Sequence, residues 1–140
     1  MTSDANGNDA IWHYLYRSNA VSDLDDDGVL KILQEARDRN AVFGITGCLH
    51  VEGGMFFQWI EGTKSELDKI IALIKRDPRH TEITDLSTGP IGQRRFAAFS
   101  MRVTDGDAGS LLDWFASQQV STIDRGAYAG SVAAFLMAVD

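Results

Sequence analysis

The sequence predicts an α+β domain: one antiparallel-rich sheet with two helices on one face and further helices on the other. Three observations predict it. Short runs of aromatic and branched residues alternate with helical patterns in the order strand, helix, strand, strand, helix, strand, strand. The strand runs are apolar at successive positions, so both sheet faces need cover. Two more helical patterns follow residue 105 and can supply the second cover.

Residues 1–10, MTSDANGNDA, are polar and acidic, and are expected to form a disordered leader. They do not have the pattern of a signal peptide. Residues 11–17, IWHYLYR, read as the first strand. Ser22 and Asp23 are placed to cap a helix whose first turn is acidic. Leu30, Leu33 and Arg37 lie near one stripe of it, with Val29, Ile32 and Ala36 beside them. This helix is expected to end near Arg39, with Asn40 where the chain leaves it.

Residues 42–51, VFGITGCLHV, read as the second strand, Gly53-Gly54 as a hairpin turn, and residues 55–61, MFFQWIE, as the third strand. Thr63 and Glu66 make a capping-box pattern. Leu67, Ile70, Ile71 and Ile74 follow at helical spacing, and Asp77-Pro78 stops that helix. Residues 82–88 form a fourth predicted strand that turns at Gly89-Pro90. Residues 96–104, FAAFSMRVT, form a fifth. The order β-α-β-β-α-β-β resembles the split β-α-β arrangement of ferredoxin-like folds with one added strand. After a linker, Leu111, Leu112, Trp114 and Phe115 predict one helix. Residues 127–139 predict another, with Tyr128, Val132, Phe135 and Leu136 near one face. The expected organisation is a leader (1–10), a domain (11–104) and a helical extension (105–140), with no internal repeat.

The 140 residues suit one domain. A chain of this length buries about 68–70% of its unfolded surface, enough for a core without staples. Hydrophobic residues at 44% and charged residues at 24% are ordinary for a globular protein. The net charge of -7 argues against nucleic acid and against an anionic membrane as partners. No apolar run approaches the ~20 residues that span a bilayer, and a cytoplasmic location is expected. The single cysteine, Cys48, lies in an apolar run and is expected to be a small buried hydrophobe. His13, His50 and His80 are scattered without ligand spacing, so no metal site is expected. Phosphate-binding glycine motifs and a nucleophile beside a base are both missing, so motifs and spacing alone lead no further than a soluble α+β domain.

Three polar residues stand in unusual places. Tyr16 ends the first strand on the same face as Trp12 and Tyr14. Read alone, it is a packed aromatic with one satisfied hydroxyl. Gln58 interrupts an aromatic strand. If buried without partners, its amide costs about 1–3 kcal/mol, so it either bonds a neighbour or faces solvent. Asn40 suits a left-handed helix end.

The segments YRS (16–18), RNAVFGITGCL (39–49), FFQWIEG (56–62), RDPRH (76–80) and PIGQRRFAAFSM (90–101) together resemble BLUF domains, in that family's order and spacing. The likeness covers residues 11–104. It implies a ferredoxin-like fold that holds an oxidised flavin between the two main helices, usually FAD, with FMN as the alternative. It also implies roles. Tyr16 matches the family's photoactive tyrosine, Gln58 the glutamine between that tyrosine and the flavin, Asn40 the asparagine that bonds the flavin's pyrimidine edge, and Met101 the methionine on the last strand. Arg76, Arg79 and His80 match positions near the ribityl–phosphate part, and Arg39 a position near the phosphate. A plainer reading of the basic residues is that they suit helix C-terminal ends. Phe99 departs from the family, which often has Trp there. Phe has no indole donor, so an exchange of Trp and methionine during signalling is in doubt.

The implied chemistry is electron and proton transfer from Tyr16, rearrangement of the Gln58 hydrogen bonds, and a signal leaving through the Met101 strand to the C-terminal helices. The short form of the family implies a separate downstream protein partner and a homo-oligomer. Two competing readings stay open. One is an acylphosphatase-like hydrolase recruiting Arg17 and Asn40, though no phosphate-cradling glycine loop follows the first strand. The other is a module that has lost its flavin, against which Tyr16, Asn40, Gln58 and Met101 speak together.

Overall fold

The computed structural model describes residues 10–21, 24–107, 109–111, 113–114 and 125–138. The elements in chain order are β1 (Ile11–Ala20), α1 (Asp26–Phe43), β2 (Thr46–Glu52), β3 (Met55–Thr63), α2 (Lys64–Arg76), β4 (His80–Ile91), β5 (Arg102–Asp105) and α3 (Arg125–Ala138). The strands form one five-stranded sheet in the order β4-β1-β3-β2-β5. All neighbours are antiparallel except β5, which runs parallel to β2. This is the expected ferredoxin-like plan with a strand added at one edge.

Period-2 alternation divides the side chains between two cores. Tyr14, Tyr16, Leu49, Phe56 and Ile60 face α1 and α2, where Leu33, Ala36, Leu67, Ile70 and Ile74 meet them. Leu15, Cys48, Phe57 and Trp59 face the other way, against Leu111, Val132, Phe135 and Leu136. The sheet is thus covered on both sides, as its apolar strands require. Cys48 is fully buried, as expected. The leader expected at residues 1–10 lies, apart from Ala10, outside the described residues, as do Ser22, Asp23, Leu112, Phe115 and Val139.

Several boundaries differ from expectation. Helix α1 starts after Asp25, whose carboxylate accepts from the Gly28 N–H at 2.8 Å. It does not stop at Asn40 but runs to Phe43. The left-handed residue is Gly44, at φ 67°, whose N–H returns to the Asn40 carbonyl. Glycine takes that conformation without a Cβ clash, so the helix continues to it. Val42 and Phe43, expected in a strand, are therefore helical. At the start of α2, Thr63 occupies the cap position but makes no side-chain cap bond.

Strand β4 does not turn at Gly89-Pro90 but continues to Ile91. It lies at the sheet edge and pairs only with β1. There a proline removes no ladder bond if its nitrogen faces outward. The fifth strand is only four residues long, because the main chain before it is bonded elsewhere. The Arg95 and Phe96 N–H groups each donate to the Glu61 carboxylate at 2.8 Å. The Gly53-Gly54 turn is as expected, with both residues at positive φ (59° and 76°). Gly47 is demanded by close approach, since a Cβ there would lie 2.2 Å from the Trp59 carbonyl oxygen.

The extension after β5 is tied to the sheet by a polar cluster. His50, fully buried, bonds Thr104 Oγ1 and Glu52 Oε1, each at 2.8 Å. Glu52 also accepts from Ser110 Oγ and from the Leu111 N–H, each at 2.7 Å. Burial pushes the Glu52 carboxyl up, but bonds from His50, Ser110 and Leu111 outweigh it and hold it below its ordinary 4.5. A carboxyl depressed by folding adds stability that is complete above its unfolded value and is lost as pH falls through the folded one. The urea midpoint of the protein should therefore drop on acidification below pH 4.5, and Glu52→Gln should shrink that drop. An acid limb unchanged in the variant would show that this carboxylate does not secure the extension.

Candidate functional site

The β1–β3 register sets Tyr16 directly opposite Gln58, and the β2–β3 register sets Leu49 on Gln58's other side. All three side chains point toward α1 and α2. The Tyr16 hydroxyl donates to Gln58 Oε1. With its oxygen so engaged, the amide turns Nε2 toward Met101, whose Sδ lies 3.6 Å away. Tyr16, Gln58 and Met101 are 2–3% exposed, so this chain of contacts is screened from water. Burial pushes the Tyr16 phenol up, and the Arg39 guanidinium only partly offsets it. Tyr16 is therefore a neutral donor at neutral pH. Its ring stacks on Tyr14, with centroids 5.3 Å apart.

Above this floor, α1 and α2 leave a pocket of about 470 Å³, including its open mouth. Tyr16, Gln58, Leu49 and Phe56 form the base; Ile32, Ala36 and Ile74 contribute from the helices; Arg39, Arg79, His80, Glu35 and Asp77 are charged or polar lining. Arg79 is paired with Asp77 at 2.7 Å and with Glu35 at 2.8 Å. Those bonds raise its guanidinium pKa, and the Arg79 bonds in turn hold the Asp77 carboxyl low. His80 Nε2 donates to the Ile74 carbonyl at 2.9 Å, and Nδ1 meets Ser18 Oγ at 2.7 Å. Both ring nitrogens are thus occupied by the protein.

The segment carrying Met101 is held by its carbonyls. Gly47 N–H donates to the Phe99 oxygen at 3.1 Å, Asn40 Nδ2 to the Ser100 oxygen at 2.8 Å, and Arg37 Nε to the Met101 oxygen at 3.1 Å. Upstream, Glu61 holds the same segment. The carboxylate is fully buried, yet it accepts from Thr46 Oγ1, Trp59 Nε1 and the Arg95 and Phe96 N–H groups at 2.7–2.9 Å. The sequence reading missed Glu61 and Arg37. A carboxylate at the end of an apolar strand was the available signal for Glu61; for Arg37 it was a cation on the same stripe of the helix as Leu30 and Leu33.

The structure therefore brings Tyr16, Gln58, Arg39, Arg79 and His80 around one pocket, with Met101 touching Gln58. Asn40 lines a neighbouring cavity instead, with Gly44, Thr46, Arg94 and Ser100. Arg76 is exposed and is not among the residues lining the pocket. Phe99 also points outward, 43% exposed, with the Arg102 guanidinium 5.9 Å from its ring. Trp59 and Trp114 belong to the opposite sheet face. Among the described residues, no group of His, Cys, Asp and Glu forms a metal site, and no helix is long and apolar enough to cross a membrane.

Among the described residues three buried polar atoms lack partners: Asn40 Oδ1, an acceptor, and the donors Arg39 Nε and Arg102 Nε, of which the first two lie on α1 beside the pocket. Unmet buried groups of this kind are rare in native proteins. An amphipathic planar ligand with both N–H and C=O groups, such as a flavin, fits this combination of an apolar slot and unmet polar atoms.

Residues 11–102 match the family model described as BLUF, sensors of blue light using FAD. Subunit beta of the photoactivated adenylate cyclase of Euglena longa is 32% identical over 94 residues. The match covers 67% of this chain but only 11% of that protein. The dark-state structure of BlrB, a BLUF protein, superposes with a TM-score of 0.73 at 33% identity, covering 92% of this chain and 99% of that one. BlrP1 of Klebsiella pneumoniae, solved with FMN and cyclic diGMP, gives a TM-score of 0.63 at 33% identity over 68% of this chain and 26% of that one. With the model match spanning most of its length, the chain belongs to the BLUF family of blue-light sensors that use flavin.

Proposed function

We propose that the chain is a blue-light photoreceptor rather than an enzyme, with FAD between α1 and α2 and the Tyr16–Gln58–Met101 series as its switch. The observation that carries this reading is the buried phenol donating to a buried amide at the base of the pocket. Arg39, which lines the pocket, and Asn40, which follows it on α1 and borders the adjoining cavity, are the proposed polar contacts to the flavin, because each has an unmet buried atom. Arg79 and His80 shape the mouth, and their own partners hold them in place.

An oxidised flavin supplies a strong one-electron oxidant when it absorbs blue light. Tyr16 yields the electron, and its hydroxyl proton passes to Gln58 Oε1, the group it already touches. When electron and proton return, the Gln58 amide is left rearranged. Glutamine suits this step because one end donates and the other accepts, so exchanging the ends inverts the bonding pattern with little change in volume. The Gln58 contact with Met101 Sδ must then change. Met101 immediately precedes β5, where Thr104 bonds His50 and so reaches Glu52, Ser110 and Leu111 on the far side of the sheet. One altered hydrogen bond is worth only about 1 kcal/mol. It acts by biasing an extension already near balance, and a separate protein reading that extension is the proposed recipient.

The absorption spectrum before and after blue light tests the reading. The expected result is an oxidised-flavin spectrum that moves slightly red and recovers in the dark, with FAD as the flavin released on denaturation. Tyr16→Phe should bind flavin yet lose the shift, and Gln58→Leu should lose it too; a full photocycle in either refutes the switch. Asn40→Ala should weaken flavin binding by about 1–3 kcal/mol, the usual cost of removing a partner from a buried polar group. Titration of apoprotein with FAD reads it, and unchanged affinity would remove Asn40 from the binding site.

A further inference from the structure

We propose that Tyr14, with Asp85 as its proton acceptor, is a second redox-active tyrosine that draws the oxidised state away from Tyr16. This rests on the photochemical role of Tyr16 proposed above. Tyr14 precedes Tyr16 by two residues on the same face of β1, and their rings stack at 5.3 Å with planes 24° apart. Both are buried. Side-chain electron transfer between rings in such contact needs no bridging group.

The two phenols differ in what receives their protons. Tyr16 donates to an amide oxygen, and Tyr14 donates to the Asp85 carboxylate. Lys75 Nζ lies 3.5 Å from the other Asp85 oxygen. Burial and the Asp85 bond both push the Tyr14 phenol up, so it keeps its proton before oxidation. A phenol becomes strongly acidic once it loses an electron. A carboxylate is a far stronger base than an amide oxygen, so the oxidised state is better held at Tyr14.

Tyr14 gives one electron to oxidised Tyr16, and the Tyr14 hydroxyl proton moves to the Asp85 carboxylate. The Tyr16 oxygen takes back the proton it had given to Gln58. The products are a neutral Tyr14 phenoxyl, a protonated Asp85 and an intact Tyr16–Gln58 bond; the electron first taken from Tyr16 remains on the flavin. A photon used in this way leaves Gln58 unrearranged. Tyr14 is thus a loss channel that lowers the yield of the lit state.

Electron paramagnetic resonance of the flavin-loaded protein, frozen under blue light, tests the proposal beside its absorption spectrum. The expected result is a neutral tyrosyl signal that disappears in Tyr14→Phe and in Asp85→Asn while the red shift persists in both. A signal unchanged in Tyr14→Phe overturns the proposal, and so does a wild-type protein with a normal red shift and no tyrosyl signal. Absence of the red shift would instead refute the role of Tyr16. In that case flavin-free protein, photo-oxidised with tris(bipyridine)ruthenium and persulfate, still decides about Tyr14. A tyrosyl yield that falls in Tyr14→Phe but not in Tyr128→Phe supports the sink, and equal yields in wild type and Tyr14→Phe overturn it.

Discussion

The pairing of Tyr16 with Gln58 across β1 and β3 is the constraint on which the rest of the site depends. Side-chain direction has a period of two along a strand, so a slip of one residue would turn Gln58 to the opposite face of the sheet. There it would meet Leu15, Trp59 and the helical extension rather than the pocket. The register is secured from both sides. The Gly53-Gly54 hairpin sets β2 against β3, and Gly47 lets those strands approach where any larger residue would strike the Trp59 carbonyl. The apolar residues on each face of β3 then commit it to one orientation between two cores.

A second set of polar groups decides where Met101 sits. Residues 92–101 make no regular strand, so their backbone groups need partners from elsewhere. Glu61 accepts two of the N–H groups, while Gly47, Asn40 and Arg37 satisfy three successive carbonyls. Arg94 adds bonds to Thr46 and to the Gly44 and Glu61 carbonyls. Four donors on Glu61 compensate a buried carboxylate that would otherwise be costly. The methionine beside Gln58 is thus held by the end of α1 and the start of β2, the same elements that border the neighbouring cavity. Through β5 it is continuous with the cluster of His50, Glu52 and Thr104 under the extension. The two faces of the sheet are linked by side chains with definite partners, and not merely by lying close together.

What the sequence alone determined is the class of fold, the alternation that assigns each strand residue to a face, and the polar residues on which the proposed switch rests. Period-2 and period-3.6 patterns are local, and burial of apolar surface drives both, so they survive reading one residue at a time. Tyr16 and Gln58 were conspicuous because a polar group in an apolar strand must be satisfied. The edges of elements were less legible. Asn40 and Gly44 are both plausible helix ends, and Asn40 lost because its side chain serves Ser100 while glycine takes the left-handed turn without strain. Residues 96–104 look like a strand, yet a distant carboxylate claims the first of their N–H groups. Only the tertiary structure decided that Tyr16 meets Gln58, that Asn40 backs a different cavity, that Arg76 and Phe99 point away from the pocket, and that Tyr14 stacks on Tyr16 with Asp85 at its hydroxyl. These depend on register and on contacts between residues far apart in the chain, and no local pattern encodes which buried donor will find which acceptor.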